Sequence, residues 1–161
     1  MFMYKNILVT LDSCGQSEPV LAQLPQLVWK TGTTVHLLSV YPSMRAVVTQ
    51  HGVVSGHQLE AQTSTAARKY LDKLANQLQE HGAQVHVNVQ FGHPAEMMLR
   101  TVQTAAVDLI VLPIPWYRGD GHRMAVEATT RVIQQAPVPV LVVRLQTSQG
   151  EAGGRPWLSR P

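Results

Sequence analysis

Five places in this 161-residue chain carry residue types able to do chemistry. Asp12 stands in a turn cluster, Asp12-Ser13-Cys14-Gly15, just after the apolar run Ile7-Leu8-Val9. A carboxylate there can accept N–H groups from a ligand, or cap and tighten the turn into a following helix. Cys14 beside a helix start would have its thiolate favoured. It is the single cysteine, however, and no general base accompanies it, so a small loop residue is the simpler reading. His93 sits in the turn Gly92-His93-Pro94-Ala95, with no nucleophile or acid partner visible in the sequence for proton transfer. His51 and His57 suggest a metal, but no cysteine or closely spaced acid completes a ligand set. Gly119 and Gly121 form a Gly-x-Gly in a Pro/Gly-rich loop, which can bring backbone close to an anion or can simply turn.

What must position these residues is read from the apolar runs. Asp108-Leu-Ile-Val-Leu112 and Val138-Pro-Val-Leu-Val-Val143 are short and continuous, bounded by turn formers. Such runs predict strands buried on both faces, which usually belong to parallel sheets. Between them lie the loop at 113–121 and a helix-like segment at 124–135, so the stretch predicts a right-handed βαβ unit. In open α/β sheets, ligands bind where loops leave the carboxyl ends of strands. The loop after residue 112 is therefore the first place to look for function.

The stretch from 107 to 144 resembles the C-terminal half of a universal stress protein domain, in its Asp-Leu-Ile-Val strand and its Ala136-Pro-Val-Pro-Val-Leu-Val-Val143 ending. ATP-binding members of that family carry Gly-x2-Gly-x9-Gly-Ser/Thr between these strands. With no gap, the glycine positions fall on Pro113, Trp116 and Val126, and the Ser/Thr on Glu127. Every position is substituted. Pro113 removes an N–H donor and fixes φ, as does Pro115. Trp116 places an indole where the triphosphate would lie. Glu127 puts a carboxylate where a hydroxyl would donate, so attraction turns to repulsion. The resemblance also implies that Asp12 and Val40 flank an adenine, and that the Gly-x-Pro-Ala turn at Gly92 lies beside phosphates. That turn also has a purely structural reading, with proline near a helix start.

The remaining chain agrees with an α/β domain. Residues 5–11 predict the first strand and 17–30 a helix, with Ser17 as its cap and Pro25 as a kink. Residues 34–40 predict the second strand. Residues 41–56 form a linker-like stretch, yet Ala46-Val47-Val48 and Val53-Val54 make it apolar, so a lid or a partner contact is expected there. Leu59, Ala67, Leu71, Leu74 and Leu78 lie on one stripe, which predicts an amphipathic helix over 58–81. Residues 84–90 alternate apolar and polar, which suits a sheet edge, and a helix over 96–106 follows.

Hydrophobic residues make up 45% of the chain and charged ones 14%, which is globular and excludes a disordered segment as the bulk of it. The formal charge of +3 is scattered, with no basic stripe for a nucleic acid. No apolar run approaches the roughly 20 residues needed to span a membrane, and no signal-peptide core is visible at the start, so a cytoplasmic location is expected. Residues 146–161 are polar and Gly-rich, with Trp157-Leu158 as their one apolar feature, and predict a flexible tail.

The fold expected is a three-layer α/β sandwich: a five-stranded parallel sheet ordered 3-2-1-4-5 with four helices, over residues 1–145. The resemblance implies that it is of the adenine nucleotide α-hydrolase-like kind. The resemblance implies a stress-response or regulatory module without enzyme activity, acting through an unidentified protein partner and holding no cofactor or metal. An AMP- or ATP-binding sensor remains the alternative, with Asp12, Val40, Gly92 and Gly119 around a vestigial nucleotide cleft. A hydrolase or transferase is disfavoured, because no Walker-type loop or Ser/His/Asp set stands at a strand end. The strand from Val138 to Val143 should be a sheet edge too apolar to face water. Family members commonly pair that strand across a two-fold axis, so a homodimer is expected.

Overall fold

The computed structural model describes residues 4–12, 17–28, 32–114 and 120–144. In chain order the elements are β1 (Asn6–Thr10), a 3-10 turn (Glu18–Ala22), α1 (Leu24–Val28), β2 (Thr34–Tyr41), β3 (Val47–Thr49) and β4 (Gly52–Val54). Then come α2 (Gly56–Glu80), β5 (Gln84–Phe91), α3 (Pro94–Thr104), β6 (Leu109–Ile114), α4 (Asp120–Gln135) and β7 (Val140–Arg144). The main sheet runs β5-β2-β1-β6-β7, all parallel. Counting only its own strands, that is the expected order 3-2-1-4-5. Among the described residues, no helix is long and apolar enough to cross a membrane.

Alternation along the strands divides the core in two. Ile7, Val9, Val35, Leu37 and Val111 point to one face, where Leu71, Leu74 and Leu78 of α2 and Leu24 of α1 cover them. Leu8, Leu38, Ile110 and Leu112 point to the other, against Met98 and Val102 of α3 and Val132 of α4. The central strands are buried on both faces, which is why their sequences are continuous apolar runs. Removing one such side chain from water contributes about 1.5–3 kcal/mol. Asp108 fixes the near end of the sheet: its carboxylate accepts the N–H of Lys5 at 2.7 Å and of Asn6 at 3.0 Å. That ties the start of β6 to the start of β1.

Two expectations need correction. The helix over 17–30 is not one kinked helix but a 3-10 turn followed by the short α1. Pro25 cannot donate the N–H that a continuous α-helix would send to Leu21, and Pro19 stands at the first turn, so the segment breaks into two pieces. Ser17 makes no side-chain cap. The linker at 41–56 is also more ordered than expected. Val47-Val48-Thr49 and Gly52-Val53-Val54 pair as an antiparallel hairpin. The Thr49 hydroxyl donates to the Gly52 carbonyl at 2.9 Å and closes its turn. Its root packs tightly on α2: a Cβ on Gly56 would lie 2.2 Å from the Met44 carbonyl oxygen, so only glycine suits that position. Ser55 and Gln58 then start α2 with a capping box. The expectations for Cys14, Pro115, Trp116 and Gly119, and for the tail with Trp157, concern residues outside the described ones.

A two-chambered cleft at the strand ends

The candidate site lies at the carboxyl ends of β1, β2 and β6, where the sheet's helices part to its two sides. Thr10, Leu38 and Leu112 bring strand ends into a cavity of about 200 Å³, and Met98 and Ala128 close it from α3 and α4. The lining is mainly apolar, as the inward residues of buried strands must be. Asp12 enters at its rim.

Asp12 and Ser17 hydrogen-bond to each other twice. The Asp12 N–H donates to Ser17 Oγ at 2.6 Å, and the Ser17 N–H donates to Asp12 Oδ1 at 3.3 Å. The serine read as a helix cap thus serves Asp12. Ser39 braces the same corner, its buried hydroxyl donating to the Leu11 carbonyl at 2.7 Å. Beside it, the Tyr70 hydroxyl reaches from α2 to donate to Glu18 Oε1. Burial, and then the Glu18 carboxylate, push the Tyr70 phenol well above its usual range, so it stays a neutral donor.

Val40 contributes backbone. The Leu38 carbonyl accepts from the Leu11 N–H, whereas the Tyr41 carbonyl accepts from the Gly92 N–H. Residue 38 therefore faces β1 and residue 41 faces β5. By the same alternation Val40 directs its N–H and C=O to the β1 side, beyond Thr10, where the β1–β2 register ends. The structure thus brings Asp12 and Val40 to one cavity, both lining it.

A second chamber of about 330 Å³ adjoins the first, with Pro94 and Ala128 lining both. Its walls are Pro42 and Ser43 at the hairpin root, Gly92 and His93 in the β5–α3 turn, and Glu127 from α4. Gly92 has φ +140°, a conformation that favours glycine, and its N–H is already given to Tyr41. Its observed role is thus the turn. His93 precedes α3 without a side-chain cap bond. Pro113 is still within β6, paired with Val143, so the strand runs on through the position where a glycine loop would begin. Arg131 and Glu96 link α4 to α3 at 3.3 Å. Among the described residues, no group of three or more His, Cys, Asp or Glu gathers to hold a metal. His51 lies in the hairpin turn and His57 in the first turn of α2.

Sequence reasoning missed the hairpin, and did not single out Pro42 and Ser43, in the stretch before it, as a wall of the second chamber. It also missed the reciprocal Asp12–Ser17 hydrogen bonds. The Val-Val-Thr-x-x-Gly-Val-Val pattern at 47–54 was the available signal for the first. The second had none beyond two polar residues five apart.

Comparison with known proteins points the same way as the layout. The sequence model of the Universal stress protein family matches residues 3–144. A curated relative, Universal stress protein Sll1388 from Synechocystis sp., is 27% identical over 153 residues, spanning 88% of this chain and 98% of that protein. Among solved structures, hypothetical protein MJ0577 superposes with a TM-score of 0.71 at 23% identity, over 91% of this chain and 100% of that one. A universal stress protein in complex with cAMP superposes with a TM-score of 0.62 at 14% identity, over 90% and 100%.

Proposed function

The chain belongs to the universal stress protein family, and from that premise we propose that it is a cytoplasmic regulatory stress-response module that acts through protein contacts and not through ATP. The observation that carries this reading is the placement of Pro113 and Glu127. Pro113 sits in the β6–β7 ladder with no N–H to offer, and Glu127 lines the chamber next to His93 and Gly92. A triphosphate needs convergent N–H and hydroxyl donors. At these two described positions it would meet a ring and a carboxylate. The hairpin supports contact with a protein: Val48 is 81% and Val53 68% exposed, directly opposite each other in the ladder. Isothermal titration of the purified protein with Mg-ATP tests the reading. The expected result is affinity no tighter than millimolar, about −4 kcal/mol; a sub-micromolar dissociation constant overturns it.

A second reading has its own support. The slot holding Asp12 and the outward backbone of Val40 suits an adenine-type ring without a triphosphate, and the family relative in complex with cAMP supports that. Mass spectrometry of the protein as purified would detect such a ligand carried over. AMP titration that gives no heat, together with a nucleotide-free spectrum, would remove this reading.

A further inference from the structure

Val48 and Val53 face each other directly across the β3–β4 ladder, and they are 81% and 68% exposed. Side chains alternate along a strand, so both stand on one face of the hairpin, while Val54 on the other face is half-buried. A two-stranded hairpin is marginal in water unless a third strand or another apolar surface covers it. Its root is held, by the Met44 N–H donating to Glu60 Oε1 at 3.0 Å and by the close fit at Gly56. Among the described residues, nothing covers the outer valine face. The chain itself supplies a cover of the right kind and reach. Leu141, Val111, Val9 and Leu37 lie abreast in the sheet, so Arg144, three residues past Leu141, ends β7 level with Val40. β7 thus leaves the sheet at the same end as β2, from which the hairpin rises, and three strand spacings, about 15 Å, away. Residues 146–154 read Gln-Thr-Ser-Gln-Gly-Glu-Ala-Gly-Gly, with no apolar side chain larger than alanine. Then comes Arg155-Pro156-Trp157-Leu158-Ser159-Arg160-Pro161, a single apolar pair between two Arg-Pro steps. Trp157 stands thirteen positions after Arg144. A Gly- and Ser-containing spacer of that length has an r.m.s. span of about 20 Å. That is of the order of the distance to be bridged, the condition under which a tethered group reaches its highest effective concentration, in the millimolar range.

We infer that the tail folds back on its own chain and lays Trp157 and Leu158 on the Val48/Val53 face, as a tethered cover for the hairpin. A flat indole and a leucine suit two neighbouring valines, because aromatic and β-branched side chains pack well across a pleated surface. The same face is the one offered above to a protein partner, so the tail competes with that contact. Docking itself rests on neither reading above, since it needs no partner and no nucleotide. The first chamber is the other apolar surface at this end of the sheet. An indole bound there would be blind to the hairpin valines, which separates the two placements.

The test follows Trp157 in the full chain by acrylamide quenching. Its emission is the difference between the parent and Trp157→Phe, which removes the contributions of Trp29 and Trp116. A contact of millimolar strength is about half formed at a millimolar effective concentration, so Trp157 should be quenched about twofold less than free N-acetyltryptophanamide. Val48→Thr combined with Val53→Thr keeps the hairpin's β-forming character, removes apolar surface and should restore the free value. Dilution from tens of micromolar to about 1 µM should change nothing in the parent, because a contact within one chain is independent of concentration. As a second readout, amide exchange at 47–54 should be about twofold faster in full-length Trp157→Ser/Leu158→Ser than in the parent. Quenching of Trp157 at the free value in the parent would overturn the inference. So would protection that survives both valine substitutions, which would place the indole elsewhere, the first chamber included. Protection lost on dilution would make the cover a second copy's tail and would overturn it as well, as would hairpin exchange indifferent to the tail substitutions.

Discussion

His36 on β2 lies over His86 on β5, with ring centroids 5.3 Å apart and planes 20° from parallel. The two are direct partners in the parallel ladder. His36 Nε2 is buried with no hydrogen-bond partner among the described residues. Burial first, and the neighbouring His86 second, lower the His36 pKa below its ordinary 6.5. The unfolded chain then binds the proton more readily than the folded one. Stability is full above about pH 6.5 and falls as pH drops from there toward the folded value. Thermal melts from about pH 7.5 to 5 should show a steeper loss for the parent than for His36→Gln, with His86→Gln between them. Equal slopes for all three would refute the assignment.

Asp108 should matter to stability more than its position at a strand's start suggests. Its carboxylate receives two backbone N–H groups, from Lys5 and Asn6. Asp108→Ala removes both acceptors and should cost about 1–3 kcal/mol, since hydrogen bonds to charged groups are the stronger kind. Urea denaturation measures this, and Asp108→Asn should recover part of the loss. A change within 0.5 kcal/mol, the usual scatter for surface sites, would show that water replaces the carboxylate without cost.

Writing the family's phosphate motif back into the cleft is a gain-of-function test. Pro113→Gly, Trp116→Gly, Val126→Gly and Glu127→Ser together should bring ATP affinity from millimolar into a measurable micromolar range, a gain of about 3–4 kcal/mol. Pro113→Gly places a glycine in a paired strand, so a stability loss of about 0.5–1 kcal/mol should accompany it. A folded quadruple variant that still ignores ATP would show that features outside these four positions exclude the triphosphate.

How far the sequence carried depended on how local the signal was. β1 and β6 are legible because strands buried on both faces leave unbroken apolar runs, whereas the strand order is legible only through the family resemblance. The hairpin hid because its turn, Gln50-His51, lacks the Asn-Gly signature that marks two-residue loops. The first helix is shorter than its apolar pattern predicts because Pro25 has no N–H with which to continue the turn before it, and stands instead in the first turn of the short α1. The site was less legible than the fold. Val40 contributes backbone direction, which no side-chain type announces, and only family resemblance singled it out. The reciprocal Asp12–Ser17 hydrogen bonds have no signal in two polar residues five apart.

The last prediction concerns how the molecule meets itself. Among the described residues β7 pairs with β6 on one side only and stands last in the sheet, so residues 140–143 turn a strand edge away from it. Leu141 is 37% and Val142 38% exposed, high for apolar residues in the middle of a strand. An apolar edge of this kind is an association hazard unless it is covered. Pro139 lies just before β7 and leaves the strand itself free to pair. A closed two-fold pairing of β7 with a second copy would satisfy the edge and bury both side chains, and two-fold dimers are the commonest homo-oligomers. The best probe is not Val143, because it packs against the larger core and a charge there would test folding. Val142→Lys instead places the charge on the exposed side chain. Light scattering should find the parent dimeric and Val142→Lys shifted toward monomer, with thermal stability measured in parallel to confirm that the variant is folded. A parent protein that stays monomeric at tens of micromolar would rule the dimer out, and the edge strand would then be covered by something other than its own copy.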